Sequence, residues 1–94
     1  MPGDSSIAVL GAGSWGTALA CLTARAGKKV FLWSADPSHA AAMTRDRVNE
    51  KYLPGIPLET KITPTDNLHD FEGVNSFILA VPSHAFREVL QKMS

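Results

Sequence analysis

The stretch Ser6-Ile7-Ala8-Val9-Leu10-Gly11-Ala12-Gly13-Ser14-Trp15-Gly16 decides the fold of this 94-residue chain. Its first five residues are a short apolar run that ends at a glycine, which is typical of a parallel strand buried on both faces. Residues 14–26 are rich in alanine and leucine, and their apolar side chains recur at helical spacing. Gly27 predicts the end of that helix. The segment therefore predicts a strand, a glycine-rich loop and a helix in succession.

The three glycines of this loop stand in the pattern Gly-x-Gly-x-x-Gly. In that pattern Gly11 permits the tight turn, Gly13 lets the backbone approach a phosphate, and Gly16 lets the helix lie close to the strand. The N–H groups of residues 14–16 then point at an anion that the helix dipole also favours. Between a strand and a helix, the pattern predicts a site for the pyrophosphate of a nicotinamide dinucleotide. An ordinary turn with chance glycines is the alternative.

Strands and helices alternate after this unit. Residues 29–33 predict a second strand, and residues 37–48 predict a helix with Asp36 as its N-cap and Pro37 at its first position. Two prolines and a glycine within residues 52–57 predict a break in regular structure.

The second half of the chain follows the same alternation. Residues 61–63 predict a weak third strand, residues 67–72 one helical turn, residues 75–81 a late strand, and residues 83–93 a helix capped by Ser83. This order predicts an α/β fold with a Rossmann-type parallel sheet and flanking helices. Because a complete doubly wound domain has about six strands, we expect residues 1–94 to be the first half of one. The fourth strand would leave an open apolar edge, which favours a homo-oligomer.

Composition excludes several classes of protein. Nine basic residues balance nine acidic ones without a basic cluster, so we expect no nucleic-acid partner. No apolar run has membrane-spanning length, and residues 1–5, which are expected to be a flexible leader, do not resemble a signal peptide. Cys21, the only cysteine, has no partner for an internal disulfide and is expected to be a small buried group. Together these features predict a cytoplasmic protein.

The end of the second strand bears on the choice between NAD and NADP. An acid there accepts from the ribose 2′-hydroxyl of NAD, whereas an arginine favours the 2′-phosphate of NADP. Ser34 and Ala35 stand at the ribose position and are predicted to bind the cofactor, but they carry neither charge. Asp36 followed by proline is more typical of a helix cap than of a ribose contact. The cofactor is therefore NAD or NADP, with the preference open.

Several polar residues have ordinary surface interpretations. His39 and His69 lack a second ligand at helical spacing, so we expect surface roles and no metal site. The run from Arg45 to Arg47 predicts a solvated helix face. Ser83 can both cap a helix and face the cofactor, since open sheets bind ligands beyond the carboxyl ends of their strands, and His84 is expected to be exposed.

Three segments in order resemble the bacterial NAD(P)-dependent sn-glycerol-3-phosphate dehydrogenases. They are residues 7–20, Asn49-Glu50-Lys51-Tyr52-Leu53-Pro54-Gly55, and residues 80–90 with their Pro82-Ser83-His84. The first is common to many dehydrogenases, whereas the second makes the resemblance specific to this family. Trp33 followed by Asp36 and Pro37 also fits.

The resemblance implies reversible hydride transfer between NAD(P)H and dihydroxyacetone phosphate, giving sn-glycerol 3-phosphate for phospholipid synthesis. It implies that Ser14 and Trp15 contact the cofactor, that position 35 lies near the adenosine, and that Tyr52 is a further contact. The family often has a basic residue where this chain has Ala35, which weakens the case for NADP.

Members of the family are much longer, and their catalytic lysine and substrate-phosphate site lie in later segments. We therefore expect no catalytic residue in this chain and no turnover by it alone. The alternatives are a dehydrogenase for a 3-hydroxy acid or a nucleotide sugar, and a non-catalytic nucleotide-sensing module.

Overall fold

The computed structural model describes residues 6–71, 74 and 76–80. Within these residues strands and helices alternate as far as Asp46, and three strands then follow in succession. A short 3-10 turn at Leu68–Phe71 precedes the last strand described. The elements in chain order are β1 (Ser6–Leu10), α1 (Ser14–Arg25), β2 (Lys29–Trp33), α2 (Pro37–Asp46), β3 (Val48–Asn49), β4 (Leu53–Pro57), β5 (Ile62–Thr65) and β6 (Ser76–Leu79).

Four of the strands form one parallel sheet in the order β5-β2-β1-β6. Val9 at the centre of β1 is in register with Leu32 of β2 on one side and with Ile78 of β6 on the other. The sheet grows outward from β1 in both directions, as in the first half of a doubly wound domain. The predicted Rossmann-type parallel sheet is therefore confirmed.

Both faces of this sheet are covered, which accounts for the uninterrupted apolar run of β1. On one face, α1 and α2 pack on the strands through a cluster of buried side chains: Val9, Ala12, Ala20, Cys21, Ala24, Val30, Leu32, Met43, Leu58 and Ile62. On the other face, a smaller cluster joins Ala8, Leu10 and Trp33 to Phe31, Leu68 and Val74. Neither helix of the described chain is long and apolar enough to cross a membrane.

The ends of the helices follow local signals. Gly27 follows α1 with a φ of 97°, a conformation that favours glycine and stops the helix as predicted. At α2 the Ser38 N–H donates to Asp36 Oδ1 at 2.9 Å, so the predicted cap is confirmed. The predicted extension of this helix to residue 48 is wrong. Arg47 adopts a left-handed conformation with φ 56°, and Val48 already belongs to β3.

The predicted break at residues 52–57 is also wrong, because Leu53–Pro57 forms β4 and pairs antiparallel with β3. This two-stranded ribbon is irregular and its register shifts between Val48 and Asn49. Gly55 has a φ of 80°. A short ribbon outside the main sheet tolerates prolines because few of its N–H groups serve as ladder donors.

The third parallel strand lies slightly later than residues 61–63 and includes Pro64. It is an edge strand whose Lys61 and Thr65 carbonyls accept from the N–H groups of Val30 and Ser34 on β2. Alternation along the strand turns the Pro64 nitrogen away from β2, where no donor is needed. The predicted turn and the late strand are confirmed as the 3-10 turn and β6. Residues 1–5 and the predicted helix over 83–93 lie outside the described residues.

Candidate functional site

The first and third glycines of the loop are required by the chain's own packing. Gly11 has a φ of 124°, which only glycine adopts readily, and its N–H donates to Trp33 O at 3.0 Å. A Cβ added to Gly16 would overlap the Gly11 carbonyl oxygen and would lie 3.2 Å from Ala80 Cβ. Gly16 therefore lets α1 lie against the ends of β1 and β6.

The second glycine differs from the other two. Gly13 has an ordinary extended conformation, with φ −78° and ψ −171°, and an added Cβ would meet nothing within 4 Å. The protein's own packing thus permits a side chain at this position. A ligand that approaches the backbone closely would not, and this fits a pyrophosphate held at the loop.

The first turn of α1 is open to solvent. Among the described residues no side chain caps this helix end, and its first turn contains no acidic residue. Ser14 and Trp15 are exposed, Trp15 to 68%. The uncapped N–H groups and the positive end of the helix dipole suit a negatively charged group here.

The two candidate ribose-binding residues at the end of β2 differ in their exposure to solvent. Ala35 is exposed, whereas Ser34 is buried and its hydroxyl is engaged within the protein. Ser34 Oγ accepts from the Asp36 N–H at 3.2 Å and lies 3.0 Å from His39 Nδ1. With Asp36 acting as the helix cap, no basic side chain within residues 34–36 faces a cofactor phosphate.

Asn49, the first residue of the segment that makes the resemblance specific, is completely buried behind the glycine loop. Its Nδ2 donates to Ala12 O at 2.9 Å and to Thr17 Oγ1 at 2.7 Å. Its Oδ1 accepts from the Tyr52 N–H at 3.3 Å and lies 2.8 Å from His39 Nε2. One side chain therefore joins β3, α1, α2 and the loop.

The expected surface role of His39 is wrong. The ring is half-buried between Ser34 Oγ and Asn49 Oδ1, and it meets the Tyr52 ring edge-on with centroids 5.4 Å apart. Because the Asn49 oxygen faces Nε2, the network assigns the proton to that nitrogen. His39 thus links the end of β2 to the glycine loop, a role that single-residue patterns did not predict.

The structure brings most of the predicted cofactor residues into one connected region. Tyr52, 44% exposed, is tied to the loop through Asn49, and Ser34 through His39 and Asn49. Their direct contact with a cofactor stays a prediction, as does that of Ala35. Ser83 and His84 lie outside the described residues. The spacing of Asn49 and Tyr52, three residues apart, was the available signal for the side-chain-to-backbone bond.

Cys21 and the run from Arg45 to Arg47 lie outside the glycine loop. Cys21 is buried as expected, and burial raises the pKa of its thiol, which suits a packing group rather than a nucleophile. Arg45 and Asp46 are exposed and pair with each other at 2.9 Å. Arg47 does not belong to that solvated face, because its Nη2 donates to Glu59 O at 2.8 Å and to Ile62 O at 2.9 Å.

Comparisons with known proteins agree with this geometry. A family model described as the NAD-dependent glycerol-3-phosphate dehydrogenase N-terminus matches residues 6–94. The chain is 49% identical over 89 residues to glycerol-3-phosphate dehydrogenase [NAD(P)+] of Legionella pneumophila strain Lens, covering 94% of this chain and 27% of that protein. For the enzyme of Coxiella burnetii strain Dugway 5J108-111 the identity is 47%, over 98% of this chain and 28% of the relative.

A solved structure is similar over the same region. The crystal structure of glycerol-3-phosphate dehydrogenase from Coxiella burnetii matches with a TM-score of 0.92 and 45% identity, covering 98% of this chain and 29% of that one. The chain therefore spans little more than a quarter of the length of the relatives that it matches.

Proposed function

Because the chain belongs to the family of NAD-dependent glycerol-3-phosphate dehydrogenase N-termini, we propose that it is the cofactor-binding part of an oxidoreductase. The proposed reaction interconverts sn-glycerol 3-phosphate and dihydroxyacetone phosphate with NAD(P)(H). The observation that carries the proposal is the glycine loop, where Gly13 faces open space at an uncapped helix end. The named activity of the relatives supplies the substrate class.

In this proposal the chain binds and orients the dinucleotide. Backbone N–H groups at Gly13 and Ser14 hold the pyrophosphate, and Trp15 flanks it. Ala35 lies toward the adenosine, and Tyr52 is a further contact with the cofactor. The bound NAD(P)H supplies the hydride. The resemblance to the family implies that the groups that bind the substrate phosphate and move its proton come from later segments of the longer enzymes.

We further propose a cytoplasmic enzyme that serves glycerophospholipid synthesis and acts on a small phosphorylated substrate rather than on nucleic acid. The absence of net charge supports the choice of substrate over nucleic acid. A homo-oligomer formed through the open sheet edge at β6 stays a prediction, and light scattering of the purified protein tests it.

The experiment is a titration of the polypeptide that contains this chain with NADH and NADPH, followed by tryptophan fluorescence. Trp15 is exposed and should respond, whereas Trp33 is 3% exposed and bonded through Nε1 to Asp66 O at 3.1 Å. Trp15→Phe should therefore remove the fluorescence response, whereas calorimetry should still detect binding, because a phenyl ring keeps part of the apolar contact. No binding of either cofactor at millimolar concentration contradicts the proposal.

The activity arm mixes the same polypeptide with NADH and dihydroxyacetone phosphate and follows NADH absorbance. Oxidation that depends on dihydroxyacetone phosphate supports the proposed reaction. If the cofactor binds but only a 3-hydroxy acid or a nucleotide sugar is turned over, the chain belongs to a different dehydrogenase. Binding without turnover of any of these substrates by a polypeptide of the relatives' length would favour a nucleotide-sensing module, since no turnover is expected of residues 1–94 alone.

A further inference from the structure

The buried amide of Asn49 uses its full hydrogen-bonding capacity inside the protein. Both Nδ2 hydrogens are donated, one to Ala12 O and one to Thr17 Oγ1, and Oδ1 faces two donors, the Tyr52 N–H and His39 Nε2. An amide has two donors and two acceptor lone pairs, so no capacity is left over. Turning the amide over would place its NH₂ against those two donors. Asn49 is therefore held in one orientation.

This orientation fixes a peptide of the glycine loop. The peptide bonds of the described chain are all trans, so the carbonyl of Ala12 and the N–H of Gly13 point in opposite directions. Because the buried Asn49 holds the Ala12 carbonyl from the protein interior, the Gly13 N–H points away from Asn49. An added Gly13 Cβ would also meet open space. The next carbonyl, Gly13 O, is held by the Thr17 N–H at 3.0 Å. Both peptides that flank Gly13 are thus constrained.

We propose that Asn49 is a positioning residue that aims the Gly13 N–H at the pyrophosphate of the bound dinucleotide. The proposal rests on the proposed function, since it deepens the account of the same site. His39 supports Asn49 from behind and connects it to Ser34 at the end of β2, so the loop and the adenosine side are held at a fixed separation. Because the Gly13 N–H is already oriented before the dinucleotide binds, binding does not incur the entropy cost of ordering that donor.

The test is Asn49→Asp, which keeps the shape and leaves one oxygen to accept from His39 and Tyr52. The second oxygen replaces the donor and faces the Ala12 carbonyl, so it should repel that carbonyl and turn the Gly13 N–H away. NADH affinity should fall about tenfold, which corresponds to about 1.4 kcal/mol. Calorimetry on the polypeptide that contains this chain, at a temperature where its unfolding curve shows a fully folded protein, measures the change.

Arg47→Ala is the matched control for a purely structural loss. It removes the bonds from Arg47 to the carbonyls of Glu59 and Ile62 and should destabilise the fold. The NADH dissociation constant should stay within about twofold, because neither bond shares a partner with Asn49 or with the glycine loop. An Asn49→Asp variant that binds NADH as tightly as the Arg47→Ala control would overturn the proposal. Failure of the unmodified protein to bind NADH would instead reject the proposed function.

A second pair of variants covers the case in which Asn49→Asp does not fold. Thr17→Val is nearly isosteric and removes only one of the two acceptors of Nδ2, whereas Thr23→Val changes a threonine of the same helix that bonds to Leu19 O. We expect Thr17→Val to weaken NADH binding several-fold and Thr23→Val to leave it unchanged. In ¹⁵N NMR spectra, inorganic pyrophosphate should shift the Gly13 amide of the Thr23→Val protein more than that of Thr17→Val. Equal affinities and equal shifts in the two proteins would refute the positioning role.

Discussion

Alanine at the third glycine of the loop should destabilise the fold. A Cβ on Gly16 would overlap a backbone carbonyl oxygen, that of Gly11, and would lie 3.2 Å from Ala80 Cβ, so α1 has to move away from β1. Overpacking of this kind costs about 1–3 kcal/mol, and a rigid backbone neighbour favours the upper end. Replacing glycine within a helix returns about 0.5–1 kcal/mol. We expect Gly16→Ala to lower the free energy of unfolding by about 2 kcal/mol.

The same substitution at the second glycine should affect binding instead. Gly13 has an ordinary φ of −78° and its added Cβ meets nothing within 4 Å. The free energy of unfolding should therefore stay within about 0.5 kcal/mol or rise slightly, because alanine restricts the unfolded chain. The new methyl group would, however, stand where the pyrophosphate approaches the backbone. We expect the NADH dissociation constant to rise at least about tenfold.

Urea denaturation and NADH titration of both variants separate the two effects. Gly27→Ala is a control outside the loop: its φ of 97° makes alanine strained, so it should cost about 1–2 kcal/mol without changing affinity. The reasoning fails if Gly13→Ala loses as much stability as Gly16→Ala. It also fails if Gly13→Ala binds NADH as tightly as the unmodified protein. The cofactor would then not occupy the open space beside Gly13.

Three further predictions concern the surroundings of the site. Arg47→Ala leaves the Glu59 and Ile62 carbonyls without their guanidinium donor, so urea denaturation should show a loss of about 2–3 kcal/mol; an unchanged midpoint would contradict it. Because burial raises the pKa of the Cys21 thiol, the unfolded chain loses that proton first, and stability should fall as pH rises above about 8.5. Urea titrations at neutral and alkaline pH measure the free energy of unfolding, and Cys21→Ala should lessen its decline. An equal decline in the variant and the unmodified protein would count against this prediction. Ala35→Arg should raise affinity for NADPH over NADH by about tenfold in paired titrations, since Ala35 is exposed and an arginine there can pair with the 2′-phosphate; equal ratios would show that position 35 does not face it.

The first half of the fold could be predicted because its signals are local. β1 and β2 have the predicted bounds, and α1 ends one residue early, before Gly27. Hydrophobic spacing, a capping aspartate and glycines each act within a few residues of the element that they define. The end of α2 was missed because Arg47 adopts a positive φ without being glycine. Its side chain is held by carbonyls 12 and 15 residues further along, a long-range contact that favours this conformation.

β4 was missed for a related reason. The prolines and glycine of residues 52–57 argue against a strand in the interior of a sheet, but this one pairs only with β3 in a separate ribbon. Whether a proline is tolerated depends on where the strand lies, which the local sequence does not state. Pro64 on the edge strand β5 illustrates the same dependence.

The polar network explains physically why the segment that begins at Asn49 is so informative. A Gly-x-Gly-x-x-Gly loop needs only local geometry, so unrelated dehydrogenases can share it. In this chain the Ala12 carbonyl is held from the interior by the buried amide of Asn49, which lies 37 residues further along the sequence. That amide is in turn fixed by the N–H of Tyr52 and by His39, so the asparagine and the turn after it work as a unit. Moving Asn49 by one residue along β3 would turn its side chain to the opposite face of the ribbon, away from the loop. The position of Asn49 is therefore tied to the glycine loop through Ala12 O, and the position of Tyr52 is tied to Asn49 through its N–H.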